Sequence, residues 1–251
     1  MSMFKSFTEQ SINKQMLFLA VLFIIINGVS NLFFDITVFR SVRLLSSITV
    51  LTYFVLKIGH HSKWVYVIFV SQCVSDVGFL FYDYNFGPYL FLLTSIITYL
   101  IYVIRIFKDI EWSKFLWYEI IAYIAMATFN CLSFNYLLNN LADLFESQVL
   151  FCIVHITGFV GITSCLICGL NNSTKICNKT SYYLYACIAF VCADFCAMVA
   201  HYYEFHPQFF YFLERGTYLF GLFILSKYAL MDFKDHNLVQ GSRVGDTPVI
   251  L

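Results

Sequence analysis

Eight apolar runs, most of them close to membrane length, follow one another along the chain with only short polar connections between them. They cover roughly 15–36, 42–59, 64–82, 86–107, 115–138, 147–170, 180–203 and 208–231. A helix that crosses the hydrocarbon of a bilayer needs about 20 mostly apolar residues. The pattern predicts an all-α polytopic transmembrane helix bundle of eight spans. Residues 1–231 form one membrane domain, and 232–251 form a polar, solvated tail. Seven spans, with one short pair merged, is the alternative count.

The composition agrees with this class. Hydrophobic residues make up 60% of the chain and charged residues 12%, against about 45–50% and 25% in soluble domains. Formal net charge is zero, so nothing global points to nucleic acid; the bilayer is the expected surrounding. The cations are placed by position. With the N-terminus in the cytoplasm, the inner segments hold twelve of them: Lys5, Lys14, Lys57, Lys63, Arg105, Lys108, Lys114, Lys175, Lys179, Lys227, Lys234 and Arg243. The other side holds Arg40 and Arg43, and Arg215 falls within span eight. Such a bias orients a multi-pass protein with both termini cytoplasmic.

Two aspartates break the apolar runs. Asp76 lies in span three and Asp194 in span seven; Pro88 follows the first after 12 residues and Pro207 the second after 13. Aligning Val74-Ser75-Asp76 with Cys192-Ala193-Asp194 superposes span three on seven and four on eight. This is a 4+4 parallel internal repeat, a known plan among membrane proteins. Both acids then sit at similar depth, and a pseudo-twofold axis along the membrane normal brings them face to face. A carboxylate inside a membrane is costly and usually functional. Two carboxylates in one dry site share a proton, leaving one acid and one base. In the alternative, each acid pairs separately with a polar neighbour such as Ser71, Gln72, Ser75, Tyr99, Tyr102, Asn130 or Tyr218, and only packing is served.

Other polar residues carry weaker signals. His201 lies seven residues beyond Asp194, on the same helical face two turns outward, and is placed to line an entrance. His155 stands alone in span six as a packing histidine. Glu214 and Arg215 are adjacent in sequence and point about 100° apart, so they are not an obvious mutual pair. Of nine cysteines, Cys165-x-x-Cys168 has metal-like spacing, but no second pair matches it. The thiols read as small apolar packing residues, and no metal or other cofactor is expected.

The pattern resembles the YhhN family, the lysoplasmalogenase-like eight-span membrane proteins. The resemblance is carried by Ser75-Asp76, Ala193-Asp194, the proline after the second acid and Thr217-Tyr218 in span eight. Arg43-Leu44 stands where family members commonly have Lys-Pro. Thr98-Tyr99-Leu100-Ile101-Tyr102 stands where they have Gly-His-x-x-Tyr. The resemblance implies hydrolysis of the vinyl ether bond of lysoplasmalogen-like lipids, with Asp76 and Asp194 as catalytic residues and no cofactor. It implies a lysolipid substrate held by Tyr102, Thr217, Tyr218 and Ser75, with His201 at the entrance. The competing expectation is a non-catalytic receptor, lipid-binding or transport-like bundle in which the acids gate or couple protons.

Overall fold

The structure, a computed structural model, describes the backbone of residues 2–57, 62–145, 147–175, 177–202 and 206–245. Side chains are described over 12–57, 62–145, 147–175, 177–202 and 206–232. The side chains of Lys5, Lys234 and Arg243 and the last residues of the tail, 246–251, lie outside the described residues. Among the described residues the chain forms eight long helices. They are α1 Ser2–Phe33, α2 Ile36–Lys57, α3 Lys63–Leu80, α4 Gly87–Phe107, α5 Trp117–Asn139, α6 Gln148–Lys175, α7 Asn178–Tyr202 and α8 Pro207–Gly245. Helices α1 to α7 are each long and apolar enough to cross a membrane. The chain is a multi-pass, all-α membrane bundle.

Three boundaries differ from the sequence expectation. Helix α2 begins at Ile36 rather than near 42, so Arg40 belongs to the helix and not to a loop and Arg43 lies two turns inside rather than at its start; both are buried. Helix α1 reaches back to Ser2. Helix α8 continues to Gly245, and Asp232, expected to open a solvated tail, is only 5% exposed. The cause is common to α2 and α8. Arg43 of α2 and Glu214, Arg215 and Asp232 of α8 meet partners of opposite charge on neighbouring helices, so a charge does not mark the end of the helix.

Packing follows the repeat. Helix α3 packs on α4 as α7 does on α8, α2 on α3 as α6 does on α7, and α1 on α2 as α5 does on α6. The halves meet through α4 on α6 and α1 on α8. Helix α8 is the central element, lying against α7 and α1 and also reaching α2 and α3. Helix α5, the counterpart of α1, packs chiefly on α6, and its most apolar window has no buried residue.

The prolines serve the same local purpose in both halves. Pro88 stands in the first turn of α4 and Pro207 opens α8, where the missing N–H costs no helical hydrogen bond. The α3–α4 corner is tight enough to require glycine. A Cβ on Gly87 would lie 1.9 Å from the Phe81 carbonyl oxygen, and one on Gly78 would lie 2.5 Å from the Phe91 backbone nitrogen. Between membrane helices such close approach replaces the hydrophobic drive that lipid does not supply.

This geometry separates two substitutions. Gly78→Ala forces α3 off α4 and is expected to cost about 1–3 kcal/mol. Gly216→Ala, where a Cβ meets nothing within 4 Å, should be neutral or stabilising by up to about 1 kcal/mol. Melting temperatures of the purified protein in one detergent compare them directly.

Candidate functional site

Four interior charges of α2, α3 and α8 converge: Arg43, Asp76, Glu214 and Arg215. Asp76, four residues from the end of α3, is fully buried. Arg43 of α2 donates from Nε to Asp76 Oδ1 at 2.6 Å, and its Nη1 lies 3.0 Å from Glu214 Oε2 of α8. Arg215 Nη1 lies 3.6 Å from Asp76 Oδ2, and its Nη2 donates to the Arg43 carbonyl at 2.7 Å and to Ser47 at 2.9 Å. Ser47 in turn donates to Asp76 Oδ2. The Arg43 guanidinium lies 4.0 Å from the centre of the Phe79 ring, and that of Arg215 lies 4.5 Å from the Tyr218 ring. Two cations and two acids thus form a neutral set with each group at most 2% exposed.

Asp194 has different surroundings. Tyr99 of α4 donates to its Oδ2 at 2.7 Å, and Ser95, one turn earlier, approaches the same carboxyl. Among the described residues no cation pairs with it, and no hydrogen bond joins it to Asp76. It lines a cavity of about 460 Å³ walled by α4, α5, α6 and α7. Asp194 is the one charged side chain in that wall among the described residues; most of the rest is apolar, including Phe91, Phe134, Phe195 and Met198. The cavity is bordered sideways by exposed residues of α5 and α7, Ser133 and Cys192 among them. Tyr82 and Tyr202 also line a smaller hollow of about 260 Å³ at the helix ends, with Asp83 and His201.

The repeat accounts for the contrast. The spacing that carries Asp76 onto Asp194 carries Arg43 onto Gly161 and Phe79 onto Ala197. Gly161 and Ala197 both line the cavity. The spacing of Pro88 and Pro207 carries Tyr99 onto Tyr218 and Ser95 onto Glu214. Each acid is therefore attended by the α4-type helix of the other half: Asp194 by Tyr99 and Ser95, and the Asp76 cluster by Tyr218 and Glu214. The first half fills the remaining space with a guanidinium and a phenyl ring. The second half has two small residues there and a cavity.

The residues expected to form one site thus fall into two, with a remainder. Asp76 and Tyr218 belong to the ion cluster. Asp194 lines the cavity, and His201 lies at the helix-end hollow with its ring 4.4 Å from that of Tyr82. Ser75 donates to the Phe91 carbonyl at 3.4 Å and serves the α3–α4 seam. Thr217 bonds carbonyls of its own helix. Tyr102 is fully buried against Tyr183, and its hydroxyl finds no partner. The face-to-face pairing expected of the two acids is not seen at Asp76, whose oxygens are taken by Arg43, Ser47 and Arg215. Arg43, Ser47 and the cavity were not read from the sequence. A charge inside an otherwise apolar run was the available signal for Arg43. Compared with family models, curated proteins and solved structures, the chain gives no match.

Arg40 of α2 pairs with Asp83 in the corner between α3 and α4. Arg40 donates to Asp83 at 2.6 and 3.0 Å and holds that carboxyl below the ordinary aspartate value of 3.8. A lowered value means stability that is present above 3.8 and lost as pH falls through the lowered value. Asp83 is 66% exposed, so screening keeps the contribution under about 1 kcal/mol. Melting curves should therefore show a smaller acid-side loss in Asp83→Asn than in the parent.

The buried cluster is expected to behave differently. Arg43→Met leaves Asp76 and Glu214 underpaired and should cost about 3–5 kcal/mol. Replacing Arg43 and Glu214 together by apolar residues should cost less than the sum of the two single changes. A double-mutant cycle on the melting transition measures that coupling.

Proposed function

We propose that the chain is an intramembrane hydrolase of single-chain ether lipids, of the lysoplasmalogenase type its motifs resemble, with Asp194 as the acid. The observation that carries this reading is a carboxyl group, fixed by a tyrosine, in the wall of a largely apolar cavity inside a membrane bundle. Such a cavity suits a ligand with one long chain and few polar atoms. Tyr99 donates to Oδ2, so the acid proton is carried on Oδ1. Transfer of that proton to the outer alkenyl carbon gives an oxocarbenium ion, which the carboxylate left behind stabilises. Water adds to the carbon bonded to the ether oxygen and returns a proton to Asp194. The hemiacetal then breaks into a fatty aldehyde and a free glycerol hydroxyl.

In this reading Asp76 shares no proton. It belongs to the cluster that fixes α2, α3 and α8, and it reaches the reaction only by positioning. The cytoplasmic placement of both termini belongs to the same proposal. Arg40 and Arg43, the two cations that stood against it, lie within α2 and are paired there.

A second reading, a non-catalytic lipid-binding bundle, is favoured by one observation. Asp76, the other acid of the expected pair, is occupied by Arg43, Arg215 and Ser47, which leaves the cavity a single carboxyl. Incubation of the purified protein with an alkenyl and an acyl lysophospholipid separates the two. The hydrolase reading expects aldehyde from the alkenyl lipid only. Asp194→Asn should reduce it about 100-fold or more, and Tyr99→Phe by less. Aldehyde that persists in Asp194→Asn removes that residue from the chemistry, and no aldehyde from the parent leaves the binding reading.

A further inference from the structure

The two halves surround their aspartates with related helices but treat the charge in opposite ways. Asp76 meets a guanidinium that lies across an aromatic ring, Arg43 over Phe79. At the matching positions beside Asp194 stand Gly161 and Ala197, and the volume those side chains would fill is part of the cavity. The nearest atoms a Cβ on Gly161 would meet belong to Val191 at 3.2 Å and the Tyr99 ring at 3.4 Å, so Gly161 adjoins the tyrosine that holds Asp194. Both halves have the acid and its attending tyrosine. What the second half lacks is the cation.

We propose that the cavity takes a single-chain amphiphile bearing a protonated amine, its nitrogen seated on Asp194 where the other half of the molecule holds the Arg43 guanidinium. Three features meet that chemistry. Asp194 offers a carboxyl that is bonded by Tyr99 and has no ion-pair partner among the described residues, and an arriving ammonium lets it ionise against a cation inside a membrane, where an unpartnered charge is costly. The aromatic rings of Phe91, Tyr99 and Phe134 in the wall favour a cation over a neutral group, as Phe79 does for Arg43. The remaining wall is hydrocarbon and suits an alkyl chain. The proposal requires the cavity and Asp194 and does not depend on hydrolysis.

The test uses the full chain in nanodiscs of zwitterionic lipid, titrated with myristylamine, myristyl alcohol and myristate while its melting temperature is followed. The amine should bind about ten-fold tighter than the alcohol, as one close charge pair provides, and myristate should bind more weakly than either. Asp194→Asn should bring the amine to the level of the alcohol. Gly161→Arg, which restores the guanidinium of the other half, should abolish the preference for the amine. Equal affinity of the parent protein for amine and alcohol overturns the proposal without recourse to any variant, and so does an amine preference that survives in Asp194→Asn. Aldehyde release is a separate readout. A protein that binds the amine and releases no aldehyde retains this proposal and loses the hydrolase reading, and the converse result does the reverse.

Discussion

The buried set of Arg43, Asp76, Glu214 and Arg215 is the interaction on which the rest of the bundle depends. Each member alone in an apolar interior would cost several kcal/mol. Together they are neutral, and each group faces one of opposite charge. Lipid provides no hydrophobic drive to bring helices together, so packing and polar contacts must choose the partners. Here the choice is unambiguous, because the charges of α2, α3 and α8 are matched only when those three helices meet at one level. The cluster also explains why α8, the most charged helix, occupies the middle of the molecule and not its lipid-facing edge.

Helix α8 is held a second time toward its other end. Asp232 lies 2.8 Å from Lys179 at the start of α7, 3.4 Å from Arg105 near the end of α4, and 3.3 Å from Ser62 before α3. Glu214 and Asp232 are eighteen residues apart, about 27 Å along a helix and close to the thickness of a bilayer core. A helix fixed at two such levels has neither its rotation nor its height free. The cavity beside α7 is therefore framed by elements whose positions are set elsewhere, which suits a site that must keep one carboxyl and one tyrosine in register.

Much of this arrangement was legible in the sequence, and the exceptions have physical causes. Seven of the eight expected spans were readable because lipid demands long apolar runs; among the described residues α8 is not apolar enough to count with them. Asp76, Asp194, Pro88 and Pro207 stood out because such residues are rare inside them. Tyr99 was among the named partners for the acids and proved to be the one on Asp194. A start near 42 leaves Arg40 in a connection and Arg43 at the outer rim of span two, yet Arg43 lies well inside α2 with its partner Asp76 thirty-three residues away. Asp232 was assigned to a solvated tail because charge was taken to end a span. The cavity left no mark that could be read forward. Gly161 and Ala197 look like ordinary small packing residues until the repeat sets them against Arg43 and Phe79.

Helix α5 shows where such a molecule can yield. It rests on α6 through two ring-on-glycine contacts. The Phe134 ring covers Gly158, where any Cβ would fall 2.0 Å from it, and Tyr123 covers Gly169 and bonds its carbonyl at 3.4 Å. Both the rings and the glycines are eleven residues apart, close to three helical turns, so each pair lies along one face. Neither ion cluster includes a residue of α5. The cavity wall formed by Asn130, Ser133 and Phe134 thus belongs to the helix with the fewest partners, whereas Tyr99 and Asp194 belong to helices packed on several others. A shift of α5 would break only contacts of rings resting on glycines, and Tyr99 and Asp194, on other helices, would keep their contact.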